Sequence, residues 1–391
     1  MTAIDIPSYI HDKFPALPSP SSITRLSGGE INHVYRVCFG EAVAEFDYAS
    51  SVVVKNSLGV LASLPDVKFG IERQRIEARA MVFINSLGVC LDLPITFPNP
   101  YPQIITPVLY HHDTKNNVLI MQDVGAHPDL QKFLLDKTTS SQEARDLATT
   151  LGAYLSFLHT FTKQHLKEIK PFFENHAARA LVQTAIYGGI REVLEKANIP
   201  ADVVDHLTQR ANKYGKTGSL NPETADSVLQ MGDLWPGALM VAKAEQKTFL
   251  LDWEFADIGN PAGEVGHFGA YLYLLANFSP HSEQSSLATG IPEAFQESFL
   301  LSYLSNYAPQ NLLNFLEDMQ LIMGIDIILE AVKGRWSVPG GCMCKAEEKE
   351  CFLVNEKGGE RRSMCISRII EVGIELLNGA GVLGSILNID I

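Results

Sequence analysis

Cysteine is scarce in this chain, with six in 391 residues. Spread over that length they build no disulfide framework, so a reducing, cytoplasmic setting is expected. An excess of basic residues is missing too, and the formal net charge is −14. Binding to a nucleic-acid backbone needs clustered Lys and Arg to displace counterions, so no nucleic-acid partner is expected. No apolar run reaches 18 residues, which speaks against a transmembrane helix and a membrane partner. The first residues, MTAIDIPSYIHDKF, lack a basic segment followed by an apolar one, so no secretory signal is expected. What is present is an ordinary globular composition, 46% hydrophobic and 19% charged. That balance excludes a disordered chain and suits one large or two medium domains.

The pattern changes character along the chain. From Ile23 to about Asp123 it is strand-rich, with VYRVCF and SVVVK as strand-like runs. In IERQRIEARAMVFINSLG the residues Ile71, Ile76, Ala80, Val82 and Phe83 share one side at helical spacing. IITPVLYHHD and VLIMQD read as two strands of a hairpin, with Thr114 to Asn117 as its turn and His111 and His112 as solvated hairpin residues. After Gly125 the segments are amphipathic helices, interrupted by two strand-like stretches that end in Asp233 and Asp252. The expected organisation is α+β: a β-rich lobe over 1–124, a hinge near Gln122 to Gly125, and a helical lobe over 125–391. Residues 338–363 are Gly-rich and charged and read as an insertion. Cys342, Cys344 and Cys351 there, with Cys365 just beyond, lack the paired C-x-x-C spacing of a zinc site, and free thiols are expected.

Taken singly, the chemistry-bearing residues are ambiguous; their order is not. Gly28 and Gly29 lie in a turn between two strands, where backbone N–H groups could approach an anion without a Cβ in the way. Lys55 ends an apolar VVVK strand, and Glu77 follows 22 residues later on a helix, placed to reach back to it. Asp233 follows VLQMG and projects from a tight turn, where a carboxylate can orient a hydroxyl and accept its proton. Asp252 ends TFLLD 19 residues later and could bind a divalent cation. If the chain stays extended there, a period of two puts Glu254 on the same side as a second metal ligand.

RLSGGEINHVYRV, VVVK, RQRIEARAM, VLIMQDVG, MGDLWPGALMV and LLDWEFADIGNP together resemble the aminoglycoside phosphotransferase and choline kinase superfamily, from about Ile23 to Phe268. The Asp-x-Glu arrangement of Asp252 and Glu254 is similar to that of methylthioribose kinase and fungal 4-hydroxytryptamine kinase. The resemblance implies a bilobal protein-kinase-like fold, with ATP and Mg²⁺ as cofactors. It implies transfer of the γ-phosphate to a hydroxyl of a small metabolite by a monomer or homodimer. On this reading Gly28, Gly29, Asn32, Lys55, Glu77, Gln122 and Val124 hold the nucleotide, Asp252 and Glu254 the metal, and Asp233 the acceptor hydroxyl. Trp235 and Arg335 are candidate substrate contacts, and His267 is placed where it can face the site. Three positions depart from the family pattern: Met231 replaces a His, Ala238 replaces a metal-holding Asn, and Glu264 replaces an Asp. Met231 and Ala238 also motivate an alternative, a nucleotide-binding pseudokinase acting as scaffold. A third reading is an ATP-using biosynthetic enzyme with a different outcome.

Overall fold

The computed structural model describes residues 4–26, 31–60, 66, 68–85, 94–217, 222, 224, 226–280, 290–332, 336–337 and 369–378. Gly28, Gly29, Arg335 and the segment with Cys342, Cys344, Cys351 and Cys365 lie outside these residues. The chain forms two compact units: Met1–His127 with Lys167–Ala178 and Met240–Asp257, and Pro128–Leu166 with Arg179–Leu239 and Ile258–Ile391. The segment ending in Asp252 and Glu254 therefore groups with the strand-rich unit, not with the helices that flank it in sequence.

The first unit runs α1 (Ile6–Lys13), β1 (Ser22–Arg25), β2 (His33–Val43), β3 (Ala49–Asn56), α2 (Glu72–Ile84), β4 (Ile104–Ile105), β5 (Leu109–Asp113) and β6 (Val118–Gln122). Five strands form one antiparallel sheet in the order β1-β2-β3-β6-β5. Strand alternation sends Val52, Val54, Val118 and Ile120 to one face, where they pack with Ile6, Tyr9 and Ile10 of α1. Eight residues are too few for a helix stable by itself, so this burial, with the Asp5 N-cap, holds α1. The opposite face carries Val53, Leu119 and Met121 against Ala78 and Met81 of α2. Lys55 pairs with Leu119 and shares that face, which aims its side chain at α2.

The expected single strand IITPVLYHHD is two. Ile104–Ile105 pairs parallel with Thr248–Phe249, while Leu109–Asp113 pairs with β6. Pro107 lies at the break and has no N–H to give a ladder. The turn does fall at Thr114 to Asn117, with the Asp113 carboxylate accepting from the N–H groups of Lys115 and Asn116. His111 and His112 are half-buried, not solvated, and His111 meets the Phe14 ring edge-on at 5.2 Å.

The remaining elements are α3 (Leu130–Leu135), α4 (Ser141–Gln164), α5 (Leu166–Phe173), α6 (His176–Val182), α7 (Ile190–Lys196), α8 (Ala201–Thr217), β7 (Val228–Gln230), β8 (Leu239–Ala242), β9 (Lys247–Leu250), β10 (Asp257–Gly259), α9 (Pro261–Asn277), β11 (Ser279–Pro280), α10 (Ile291–Asn306), α11 (Leu312–Val332) and β12 (Trp336–Ser337). The second unit is built from the helices α4, α9, α10 and α11. Ser140 caps α4 in a reciprocal box with Glu143. The helices α9 and α11 approach closely because α9 carries Gly266 and Gly269. A Cβ at 266 would lie 2.6 Å from the Met319 carbonyl oxygen, and one at 269 would lie 3.3 Å from Met323 Sδ. No helix among the described residues is long and apolar enough to cross a membrane.

Candidate active site

Lys55 Nζ donates to Glu77 Oε1 and to Asp252 Oδ1, each at 2.8 Å, and lies 3.7 Å from Glu254 Oε1. Burial opposes the charge on Lys55, but Asp252, Glu254 and Glu77 outweigh it and hold the ammonium well above the usual lysine range. Glu77 is pushed up to about 7, by burial above all; Lys55 opposes this, and the neighbouring carboxylates add to it. Asp252 has φ 61° and ψ 59°, a left-handed conformation that Asp tolerates better than most residues and that recurs at functional positions. Its side chain is 56% exposed, whereas those of Lys55 and Glu77 are each 3% exposed.

Glu254 departs from expectation. The chain after Asp252 is not extended but turns through a 3₁₀ segment, Trp253–Phe255, so the period-of-two argument for a shared face fails. Glu254 is buried. Its carboxylate accepts from Arg73 Nε at 2.8 Å and from Asn32 Nδ2 at 2.9 and 3.0 Å. Arg73 also donates to Asn32 Oδ1 at 2.9 Å and to the carbonyls of Phe69, Gly70 and Leu58. Both ends of the Asn32 amide are thus engaged within the protein. Arg73 was missed in the sequence, although it sits one helical turn before Glu77 on the same face of α2, a spacing that could have found it.

Here two cations, Lys55 and Arg73, face three carboxylates, which leaves an excess of negative charge. Asp252, exposed and bonded to Lys55 through one oxygen, suits a divalent cation at the other. Among the described residues no three His, Cys, Asp or Glu side chains gather into a metal-binding group. A magnesium ion carried on phosphates needs only one or two protein carboxylates. Asp252 is the residue here that would hold such a cation. Ala238, buried in the 3₁₀ turn Pro236–Ala238, offers no donor atom. Glu254→Gln should cost about 3 kcal/mol of stability by unpairing Arg73, and leave the Mg²⁺ dependence of turnover within about twofold. A Mg²⁺ titration displaced to higher concentration would restore Glu254 as a ligand.

At the end of the β6 strand, Gln122 N–H donates to the Val108 carbonyl at 2.8 Å. Asp123 accepts from Arg36 at 2.7 and 2.9 Å, from Ser51 at 2.8 Å and from Gly125 N–H at 3.0 Å. These bonds fix the chain through Val124, where Gly125 takes φ +88°.

In the second unit, Met231 and Leu234 are buried and anchor the loop, while the Asp233 side chain is 37% exposed. Gly232 has φ +84°, a conformation that favours glycine. Its N–H donates to Glu264 Oε1 at 2.9 Å, and Glu264 Oε2 lies 2.9 Å from His159 Nε2. His159 in turn meets the Tyr303 hydroxyl at 2.8 Å. Glu264 thus holds the loop backbone one residue before Asp233, a structural part, as its charge-conserving replacement of Asp suggests. Trp235 lies over Gly237, where a Cβ would come 2.1 Å from Trp235 Cη2, and its ring centroid is 5.7 Å from that of Tyr271.

His267 on α9 is the residue that the sequence most underrated. Its Nδ1 lies 2.8 Å from Asp326 Oδ2, and its Nε2 lies 3.4 Å from Asp233 Oδ1. Burial opposes its charge, but Asp326 and Asp233 outweigh it and push the imidazolium up to about 10. One turn along, the Tyr271 hydroxyl donates to Glu330 Oε1 at 2.9 Å. Asp326 and Glu330 were not singled out, although they are the only charges in the apolar stretch GIDIILEAV and sit one turn apart. A folded-state value above 6.5 means that this group stabilises fully below pH 6.5 and loses its contribution as pH rises through about 10. Denaturant melts between pH 6 and 10 should show stability falling over that window, with a shallower fall in His267→Gln.

The comparisons with known proteins place the chain among kinase-like phosphotransferases that act on small molecules. The chain matches the model of the phosphotransferase enzyme family (APH) over residues 22–304, and it belongs to that family. It is 26% identical over 307 residues to the 4-hydroxytryptamine kinase of Psilocybe cyanescens, covering 75% of this chain and 77% of the relative. It is 25% identical over 292 residues to the 4-hydroxytryptamine kinase of Psilocybe cubensis, covering 71% and 74%. A solved structure of a candidate aminoglycoside phosphotransferase from Ralstonia eutropha JMP134 aligns with TM-score 0.51 and 14% identity, covering 96% of this chain and 97% of that one. Identity that low speaks for the fold alone, which is protein-kinase-like.

Proposed function

We propose that the protein transfers the γ-phosphate of ATP, with Mg²⁺, to a hydroxyl group of a small metabolite. The observation that carries this reading is Lys55, buried and held at 2.8 Å by both Glu77 and Asp252. An ammonium so fixed is prepared for phosphate oxygens, and Glu77 keeps its direction. Asp252 is the metal ligand in this reading, and bound magnesium would neutralise charge on the phosphates. Glu254 and Asn32, joined through Arg73, brace the segment beneath Asp252. The glycines Gly28 and Gly29 would cover the phosphates, and the backbone from Gln122 to Val124 would receive the adenine.

Asp233 orients the acceptor hydroxyl and takes its proton as the new P–O bond forms and the bond from the γ-phosphorus to the bridging oxygen breaks, with ADP as the leaving group. In such transfers positioning and charge neutralisation supply most of the rate. Trp235 and Tyr271 present aromatic surface near Asp233, which suits an aromatic acceptor. The names of the Psilocybe relatives make hydroxylated tryptamines the first to try. Arg335 is a further candidate contact. The test is incubation with Mg-ATP and a library of hydroxylated metabolites, read by mass spectrometry. A phosphorylated product supports the reading. Nucleotide binding without turnover would favour a scaffold, and an adenylylated or condensed product a different ATP-using reaction.

A further inference from the structure

Two rungs join α9 to α11. His267 meets Asp326 and Tyr271 meets Glu330, each pair set one helical turn from the other. The close approach that Gly266 and Gly269 permit makes both rungs reachable. A single hydrogen bond to Asp326 would suffice to tie the helices together. His267 does more, because its other nitrogen lies 3.4 Å from Asp233 Oδ1. That is long for a hydrogen bond, but contacts of this kind are often loose before substrate binds and tighten in the complex. Among the described residues the charges that act on the ring are Asp233 on the loop and Asp326 on α11, with the Tyr271 ring edge-on at 5.3 Å and its hydroxyl on Glu330.

We propose that His267 is a positioning residue for Asp233: locked in direction by Asp326, it holds Oδ1 of Asp233 and leaves Oδ2 for the acceptor hydroxyl. The proposal rests on the reading of Asp233 given above. An imidazolium can face two carboxylates at once: Asp326 fixes the ring by a hydrogen bond, and the ring, whose Nε2 makes no hydrogen bond among the described residues, holds Asp233 by charge across 3.4 Å. Without it, the 37% exposed Asp233 side chain would sample other rotamers, and the hydroxyl would meet a misdirected acceptor.

The first test needs no acceptor. The imidazole ¹⁵N signals of His267, assigned by their loss in His267→Gln, are followed from pH 6 to 11 in the wild-type chain, Asp233→Asn and Asp326→Asn. Titration near pH 10 in the wild type, moved to lower pH in both variants, is expected. A titration unmoved by Asp233→Asn would mean that the two residues do not communicate, and would overturn the proposal. The second test is turnover of Mg-ATP with 4-hydroxytryptamine. His267→Gln and Asp326→Asn should each lower kcat roughly tenfold with KM for ATP within about twofold. The double variant should be no slower than the slower single one, because both break one chain of contacts. Losses that multiply would indicate separate structural effects and count against the idea. Unchanged kcat in His267→Gln, while Asp233→Asn abolishes turnover, sinks the inference and spares the role of Asp233. Normal turnover in Asp233→Asn sinks that role itself. Should His267→Gln fail to fold, Asp326→Asn carries the same expectations.

Discussion

Replacing Asp233 by asparagine should lower turnover by two or more orders of magnitude while nucleotide affinity stays near that of the wild type. Asparagine keeps the shape of the side chain and can still hydrogen-bond a hydroxyl, but it cannot accept the proton released as the phosphoryl group transfers. A positioned base is worth roughly 10² to 10⁴ in rate. The loop should survive the change, because it is anchored by buried Met231 and Leu234 and by the bond from Gly232 to Glu264, not by the Asp233 carboxylate. Steady-state kinetics and a nucleotide titration on the same preparation make the comparison. Turnover close to wild type would remove Asp233 from the proton-handling role.

Lys55→Ala should lower kcat/KM for ATP by about a hundredfold, the scale for losing one preorganised donor to a phosphoryl or oxyanion oxygen. It should also destabilise the chain. Glu77 and Glu254 are buried, and with the ammonium gone Arg73 is the cation that still pairs with Glu254 among the described residues. Breaking a buried pair from one side costs roughly 3 to 5 kcal/mol. Protonation of Glu77, already pushed up to about 7, would relieve part of that cost. Glu77→Ala should act on kinetics in the same direction and more weakly, because Glu77 only orients Lys55. Paired measurements of kinetics and thermal unfolding separate the two effects. A silent Lys55→Ala beside a damaging Glu77→Ala would show the pairing to be misread.

The sequence by itself determined those parts that depend on local pattern. Alternation in SVVVK and VLIMQ set the strands and put Lys55 on the α2 face, since a period of two leaves a strand residue no other choice. The order of Lys55, Glu77, Asp233 and Asp252 marked the phosphotransferase, because those residue types at those spacings meet its chemistry and few others. Tertiary structure decided what local pattern cannot carry. The left-handed turn at Asp252 swings Glu254 inward to Arg73 and Asn32, from positions 181 and 222 residues away in sequence. Nothing in DWEF by itself reports that turn. Pro107 splits a run that reads as one strand, because its missing N–H matters only once a ladder partner exists. In the sequence His267 is a residue that can face the site, with nothing nearby in the chain to say what it meets. It acquires its role only when Gly266 and Gly269 let α11 close on α9 and bring Asp326 to one nitrogen while Asp233 meets the other. Backbone periodicity is a property of neighbours in the chain, whereas a buried charge is defined by its partners in space.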